Sequence, residues 1–330
     1  MVKSDRATLR VCLVGCGGMG RLHARSILKH RSVASMTVCD ADDDRAKSLA
    51  DDLGADWMRM DEALASKAFN TFFIVSPASA HVEQIQQVID KDVYVFCEKP
   101  LDKSLAQIEA AMPSLREHAD RIQVGFNRRF DPHMAELKRR IDDGNIGDLE
   151  QILIVSRDFT PPPLEGLENS AGLIAETAIH DFDMSRWLLG DDVSEVVCIG
   201  SALINPDYAN KGHIDTATTV LRGMHGQQVV IQNSWRTSYG YDQRVEAFGA
   251  GGRLTVDNPA GPLVRQEDAQ GLHRGTIEAD WFGRYPEAYD IQCAAFLDVA
   301  VSGAKVTPNL HDGYMASFIA DRAAESQKTG

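Results

Sequence analysis

No stretch of this 330-residue chain is apolar for long enough to span a bilayer, and the opening MVKSDRATLR lacks the apolar centre of a secretion signal. Neither a spanning helix nor a secretory leader is expected. Cysteine is sparse: Cys12, Cys16, Cys39, Cys97, Cys198 and Cys293 form no C-x-x-C pair, and several fall in apolar runs that read as buried strands. That pattern suits reduced core thiols in a cytoplasmic protein rather than a disulfide framework. There is no H-E-x-x-H and no His/Cys cluster at ligand spacing, so no metal site is expected. Positive charge is short as well, with 34 Lys and Arg against 48 Asp and Glu and a formal net charge of −14. Nucleic acid and anionic membranes both favour a basic face, so neither is an expected partner. Internal repeats and low-complexity tracts are missing, apart from the short run Pro161-Pro162-Pro163. What is present is 44% hydrophobic and 25% charged, an ordinary globular composition, and long enough for two domains with separate cores.

The first half alternates strand and helix. Leu9 to Val14 is a short apolar run ending in G-C-G-G-M-G, with Gly15, Gly17 and Gly20 at G-x-G-x-x-G spacing before a helical stretch through Leu28. Gly15 permits a tight turn, Gly17 lets backbone approach a pyrophosphate, and Gly20 lets the helix pack close to the strand. Gly18 and Met19 open that helix, whose free N–H groups suit phosphate. A second strand, Met36 to Cys39, ends in Asp40, placed to accept hydrogen bonds from an adenine ribose. Ala41 follows, and the first arginine is Arg45. A 2′-phosphate would meet a carboxylate with no guanidinium beside it, which favours NAD over NADP. Helices are expected over Asp42 to Leu53, after a cap at Asp61, and from about Ala80 to Asp90. Strands are expected over Thr71 to Val75, Val93 to Cys97 and Ile122 to Gly125. Such alternation means a doubly wound parallel sheet with ligands at the carboxyl ends of its strands. Ser76-Pro77, with His81 beyond it, and Glu98-Lys99-Pro100 follow two of those ends and are cofactor-side candidates. An ammonium at Lys99 would also stabilise a developing alkoxide.

The pattern changes after Phe126-Asn127-Arg128-Arg129-Phe130 and a helix from about Pro132 to Asp142. Leu149–Arg157, Val193–Ala202, Thr216–Arg222, Gln228–Trp235, Arg244–Gly249 and Arg253–Val256 read as strands, with hairpin turns at Met224-His225-Gly226 and Gly251-Gly252. The fold class is therefore α/β: a Rossmann domain over residues 1–127, then an α+β domain over 128–330 built on a large, mostly antiparallel open sheet. Terminal helices, about Pro286 to Val301 and Leu310 to Glu325, close the chain, with packing back on the first domain left open. The uncovered sheet face suggests a homo-oligomer, dimer or tetramer.

Between the first two of these strands lies ETAIHDFDMSRWLLG. Glu176, His180, Asp183 and Trp187 fall at i, i+4, i+7 and i+11, one face of an α-helix stopped by Gly190. A carboxylate one turn before a histidine would orient the imidazole and improve it as a general base. A partly buried helix with a polar stripe fits the same spacing.

GCGGMGRLHA, CEKPL, GFNRRFDP and ETAIHDFDMSRWLLG, in this order, resemble the glucose-fructose oxidoreductase / inositol dehydrogenase family over essentially the whole chain, and most resemble its bacterial myo-inositol 2-dehydrogenase branch. The resemblance implies a two-domain NAD(P)-dependent oxidoreductase acting on a cyclic polyol or sugar, often a tetramer. It implies that Lys99 is the active-site lysine, His180 the catalytic histidine and Asp183 a ligand of substrate hydroxyls. Hydride transfer is the expected reaction, with a ring hydroxyl between Lys99 and His180, and Glu176 orienting His180. Asn127, Arg128, Asp158, Tyr239 and Tyr241, with Arg157, are further candidates for gripping hydroxyls. Three positions depart from the family: Glu176 replaces its Asp, Ser170-Ala171-Gly172-Leu173 replaces a double glycine, and Trp235 stands where a polar or basic residue is expected. They bear on substrate identity more than on reaction type. Another inositol isomer or a pyranose sugar is the alternative substrate. A non-catalytic NAD-binding regulator is the alternative of a different class, disfavoured by the presence of both Lys99 and His180.

Overall fold

The computed structural model describes residues 8–89, 93–259 and 265–329. The chain divides into two compact units, Met1–Asn127 with Glu287–Ser317, and Arg128–Pro286 with Phe318–Gly330.

In the first unit β1 (Leu9–Val14) leads to α1 (Gly18–Leu28), β2 (Val33–Cys39), α2 (Asp43–Leu53), β3 (Asp56–Trp57), α3 (Met60–Ala65) and β4 (Thr71–Ile74). Then come α4 (His81–Ile89), β5 (Tyr94–Cys97), α5 (Leu105–Leu115) and β6 (Ile122–Val124). The strands are all parallel, in the order β3-β2-β1-β4-β5-β6. Direction of winding reverses between β1 and β4, so the crevice for a ligand opens at their carboxyl ends. β4 is buried along its length, as a strand covered on both faces must be. Asp42 caps α2 by accepting from the N–H groups of Asp44 and Arg45, and Gly54 ends it at φ +65°. Asp61 is not a cap: α3 starts two residues earlier than that would place it, at Met60 with Arg59 in the cap position, and Asp61 lies in its first turn. Asp90, the expected end of α4, lies outside the described residues.

In the second unit α6 (Pro132–Asp142), β7 (Leu149–Arg157), α7 (Ile179–Leu189) and β8 (Val193–Ser201) are followed by α8 (Asp207–Asn210), β9 (Thr216–Gly223) and β10 (Gln228–Ser234). β11 (Asp242–Gly249), β12 (Gly252–Val256), a ribbon of β13 (Arg265–Asp268) with β14 (Gly271–Arg274), and α9 (Trp281–Arg284) complete it. The six-stranded sheet runs β12-β11-β7-β10-β9-β8, antiparallel except for β7 beside β10. Side chains alternate across it. Ile152, Ile154, Leu221, Val229, Ile231 and Ala247 join Phe182, Met184 and Leu188 of α7 in one core. On the other face Leu153, Val197, Ile199, Val220 and Phe248 are exposed. The sequence does not announce the ribbon, since RQED and GLHR show no apolar alternation.

The chain then returns. In α10 (Pro286–Ser302) Cys293, Phe296 and Leu297 enter the core of the first unit, and Phe296 meets Phe73 edge-on at 5.1 Å. Asp290 of α10 accepts from Lys29 Nζ at 2.7 Å and from Ser26 Oγ. A cut after residue 127 alone would leave this helix in the second domain. α11 (Leu310–Thr329) begins in the first unit, and its Ile319, Ala320 and Ala323 lie in the core of the second.

Candidate active site

The glycine loop after β1 fits a dinucleotide. A Cβ on Gly15, which sits at φ +105°, would lie 2.7 Å from Ser76 N and Val75 O. One on Gly20 would lie 2.0 Å from Gly15 O. Those two glycines are required by the protein's own packing. Gly17 is different: nothing stands within 4 Å of where its Cβ would be. Room is kept there, at the first turn of α1, where Gly18 and Met19 present backbone N–H groups and a pyrophosphate would lie. Asp40, at the end of β2, is 8% exposed. Its Oδ2 accepts from Cys16 N at 2.7 Å and its Oδ1 from Asp42 N at 3.0 Å, which leaves lone pairs for a ribose diol. Burial, aided by Asp40, pushes the Cys16 thiol up to about 12, so it stays protonated beneath the loop. One expectation is corrected here. Arg45 is folded back by the first turn of α2, so that its Nη1 stands 3.5 Å from Asp40 Oδ1. A guanidinium therefore does stand beside the ribose carboxylate.

At the next two strand ends the structure redirects two cofactor candidates. His81 is buried, with Nδ1 2.8 Å from the Pro100 carbonyl oxygen and Nε2 2.7 Å from that of Ser76. Glu98 is buried too. It accepts from His23 Nε2 at 2.8 Å through Oε1 and from Lys99 N at 3.1 Å through Oε2. Both side chains fasten one turn to another instead of facing a ligand. Ser76 Oγ donates to Gln84 at 2.6 Å, Pro77 is exposed, and Lys99 is half-buried after β5.

In the second unit the expected single α-helix is preceded by a different kind of turn. Leu173–Thr177 is a π-helical turn in which Ala178 N bonds Leu173 O, and the α-helix begins only at Ile179. Glu176 lies in this wider turn, four residues before His180. Its carboxylate accepts from Ser170 Oγ and Ala171 N, both at 2.7 Å. Glu176 therefore fastens the turn before the helix, at the place where the family's double glycine would be. Trp235 is core: 3% exposed, edge-on to Tyr208, with Nε1 donating to Thr177 Oγ1 at 3.0 Å. It props the π turn from below. His180 is half-buried in the first turn of α7, and Gly190 stops the helix at φ +71°.

Asp183 and Arg128 are corrected together. Asp183 is 1% exposed and takes a bidentate pair from Arg129, at 2.9 Å from Nε and 2.6 Å from Nη2. Arg128, also buried, donates to Asp181, which accepts from Asn233 Nδ2 at 2.7 Å as well. A buried guanidinium needs a carboxylate, so the twin arginines bind two aspartates of α7 and anchor the helix that carries His180. Burial pushes the Asp181 carboxyl up against the pull of Arg128 and Asn233. It works to lower Arg128, but Asp181, Tyr285 and Tyr241 together outweigh it and keep the guanidinium charged. Tyr241 lies in the same buried cluster. Burial raises its phenol far beyond the ordinary range despite Arg128 nearby, leaving a neutral hydroxyl. Tyr239 is exposed; its hydroxyl donates to Asp242 at 2.7 Å and accepts from Arg157 at 3.1 Å. Asp158 is half-buried, its N–H bonded to Ser234 O. Asn127 is 2% exposed, and its Nδ2 has no acceptor among the described residues. Reading the sequence missed His23, Arg129 and Asp181. His23 carried one signal, its place among Gly20, Ala24 and Ile27 on the buried face of α1.

A parallel sheet of this strand order, with an open glycine loop at its switch point and an acid at the end of β2, defines an NAD-dependent oxidoreductase. Residues 9–126 match the model of the oxidoreductase family with an NAD-binding Rossmann fold, and residues 134–255 match the GFO/IDH/MocA C-terminal domain. The chain belongs to the GFO/IDH/MocA family. It is similar to the inositol 2-dehydrogenase of Rhizobium meliloti (strain 1021), 32% identical over 319 residues that cover 97% of each chain. Among solved structures it is similar to a myo-inositol dehydrogenase from Corynebacterium glutamicum, with a TM-score of 0.94 and 34% identity over 98% of this chain and 97% of that one. It is similar too to the myo-inositol dehydrogenase of Lactobacillus casei in complex with NAD(H) and myo-inositol, with a TM-score of 0.85 and 25% identity over 98% and 95%.

Proposed function

We propose that this enzyme oxidises a secondary ring hydroxyl of a cyclic polyol to a ketone, and that its substrate is myo-inositol, oxidised at position 2. The observation that carries this reading is the near full-length similarity to proteins named as inositol 2-dehydrogenases, in a chain that keeps Lys99 after β5 and His180 at the start of α7. Bound NAD supplies a hydride acceptor. His180 takes the proton of the reacting hydroxyl, and Lys99 stabilises the negative charge that develops on its oxygen. Glu176, four residues before His180, orients it and holds residues 170–171 against the turn that delivers it. The amide nitrogen of Asn127, buried and without an acceptor among the described residues, is a donor for a substrate hydroxyl. Asp158 and Tyr239 remain candidates for the same task. Arg128 and Asp183 support the site through α7. The test is NADH formation by purified protein with myo-inositol, scyllo-inositol, other isomers and aldopyranoses. The highest kcat/KM is expected with myo-inositol. A better aldopyranose moves the substrate, and no turnover with any polyol leaves only the regulator.

The exposed apolar face of the second sheet supports a homo-oligomer formed through it, which sedimentation equilibrium would detect. All six cysteines are free and buried, which supports a reducing compartment, the cytoplasm.

A further inference from the structure

A buried carboxylate and two buried histidines surround the backbone of Lys99. His23 is wholly buried on α1, with its ring centroid 4.9 Å from that of Phe96 and 5.9 Å from those of Phe73 and Tyr289. An ionised carboxylate can only accept, so His23 Nε2 donates to Glu98 Oε1 at 2.8 Å. The second oxygen of Glu98 accepts the N–H of Lys99 at 3.1 Å. There is no slack in this slot. A Cβ on Gly125 would stand 2.8 Å from Glu98 Oε2. On the far side of Lys99, His81 holds the carbonyl of Pro100 at 2.8 Å. A buried carboxylate costs free energy unless it is paired, and an apolar residue would fill the space without that cost. What the carboxylate adds is a fixed acceptor for the Lys99 N–H. It thereby sets the direction in which the lysine leaves the strand.

We infer that His23, acting through Glu98, is a positioning residue for Lys99. This rests on the reading of Lys99 as the group that stabilises the reacting oxygen. His23 does not touch the substrate; it orients the carboxylate that orients the turn.

The test compares His23→Leu, His23→Gln and Lys99→Ala in the full chain. His23→Leu is expected to lower kcat about 10- to 100-fold, the scale of a misplaced reacting group. NAD affinity, titrated by fluorescence without substrate, should stay close to wild type. The reactivity of Lys99 toward an amine-acylating reagent, measured in NAD-free protein by peptide mass spectrometry against the other lysines, should change. His23→Gln should recover most of both properties, because its amide nitrogen reaches the same carboxylate oxygen. Wild-type kcat and wild-type Lys99 reactivity in His23→Leu would overturn the inference. So would equal losses in His23→Leu and His23→Gln accompanied by loss of NAD binding. Should His23→Leu not fold, Glu98→Gln takes its place, with the same losses expected and wild-type values overturning the inference. Wild-type kcat in Lys99→Ala would remove the reading of Lys99 instead. The acylation comparison would then decide the brace alone, changed reactivity upholding it and unchanged reactivity overturning it.

Discussion

Residues that act through their nearest neighbours along the chain are legible in the sequence itself. Gly15, Gly17 and Gly20 announce a phosphate loop because each answers a local demand, and Lys99 announces itself because a buried strand ends just before it. Removing the Lys99 ammonium is expected to lower kcat by about 100-fold, the scale of one lost transition-state donor, with NAD affinity little changed. Steady-state kinetics of Lys99→Ala with a separate NAD titration checks this, and near-normal kcat contradicts it. Arg45 is misjudged from sequence because spacing along a chain does not reveal that the first turn of α2 returns its guanidinium to Asp40. Its effect belongs to cofactor choice. NAD should be preferred, since Asp40 meets the ribose, but Arg45 offers partial compensation to a 2′-phosphate. Arg45→Ala is expected to widen the ratio of kcat/KM for NAD over NADP about fivefold, the worth of a half-exposed ion pair. An unchanged ratio would mean that Arg45 serves Asp40 and Asp42 alone.

At the scale of elements, α7 is legible as a helix, and Gly190 marks its end, because a 3.6-residue period and a glycine stop are sequence signals. The π turn before it is not. The residues of Leu173–Thr177 read like a helical start; the turn is held by the bonds of Glu176 to residues 170 and 171 and by Trp235, a contact made through tertiary structure. Trp235→Phe should cost about 1 kcal/mol through the lost bond to Thr177, read from urea unfolding, and an unchanged midpoint would contradict the propping role. The twin arginines look like substrate ligands because charge in sequence carries no record of burial. Arg129→Met removes a bidentate partner of the buried Asp183 carboxylate and should destabilise the protein by about 3 kcal/mol. A near-neutral change would return Asp183 to the substrate. At the start of β11, burial works to raise the Asp242 carboxyl. Hydrogen bonds from Arg244, Tyr239 and Asn258 outweigh it and hold the group below its ordinary value. Its folded value then lies under the unfolded one, near about 3.9, so its stabilisation is complete above that pH and is lost as pH falls through the folded value. The stability gap between wild type and Asp242→Asn should therefore close on acidification, and a gap that stays constant from about pH 7 to pH 3 would refute the assignment.

At the scale of the molecule, the alternation of strands and helices makes the first sheet legible, and the run of long strands makes the second so. The placing of α10 is not legible, because its Phe296 and Leu297 announce burial but not beside which strands they are buried. The ribbon of β13 and β14, whose sequences RQED and GLHR are mostly polar, carries no apolar period to read. The glycine loop, the ordered sheet and the family lead to hydride transfer to NAD, and the substrate proposed above makes the reaction the removal of a carbinol hydrogen from an inositol ring. Myo-inositol deuterated at carbon 2 tests this directly. Incubated with the enzyme and NAD, it should yield one deuterium on the nicotinamide ring per ketone formed, read by mass spectrometry. Ketone formed with unlabelled NADH, or no ketone at all, would contradict it.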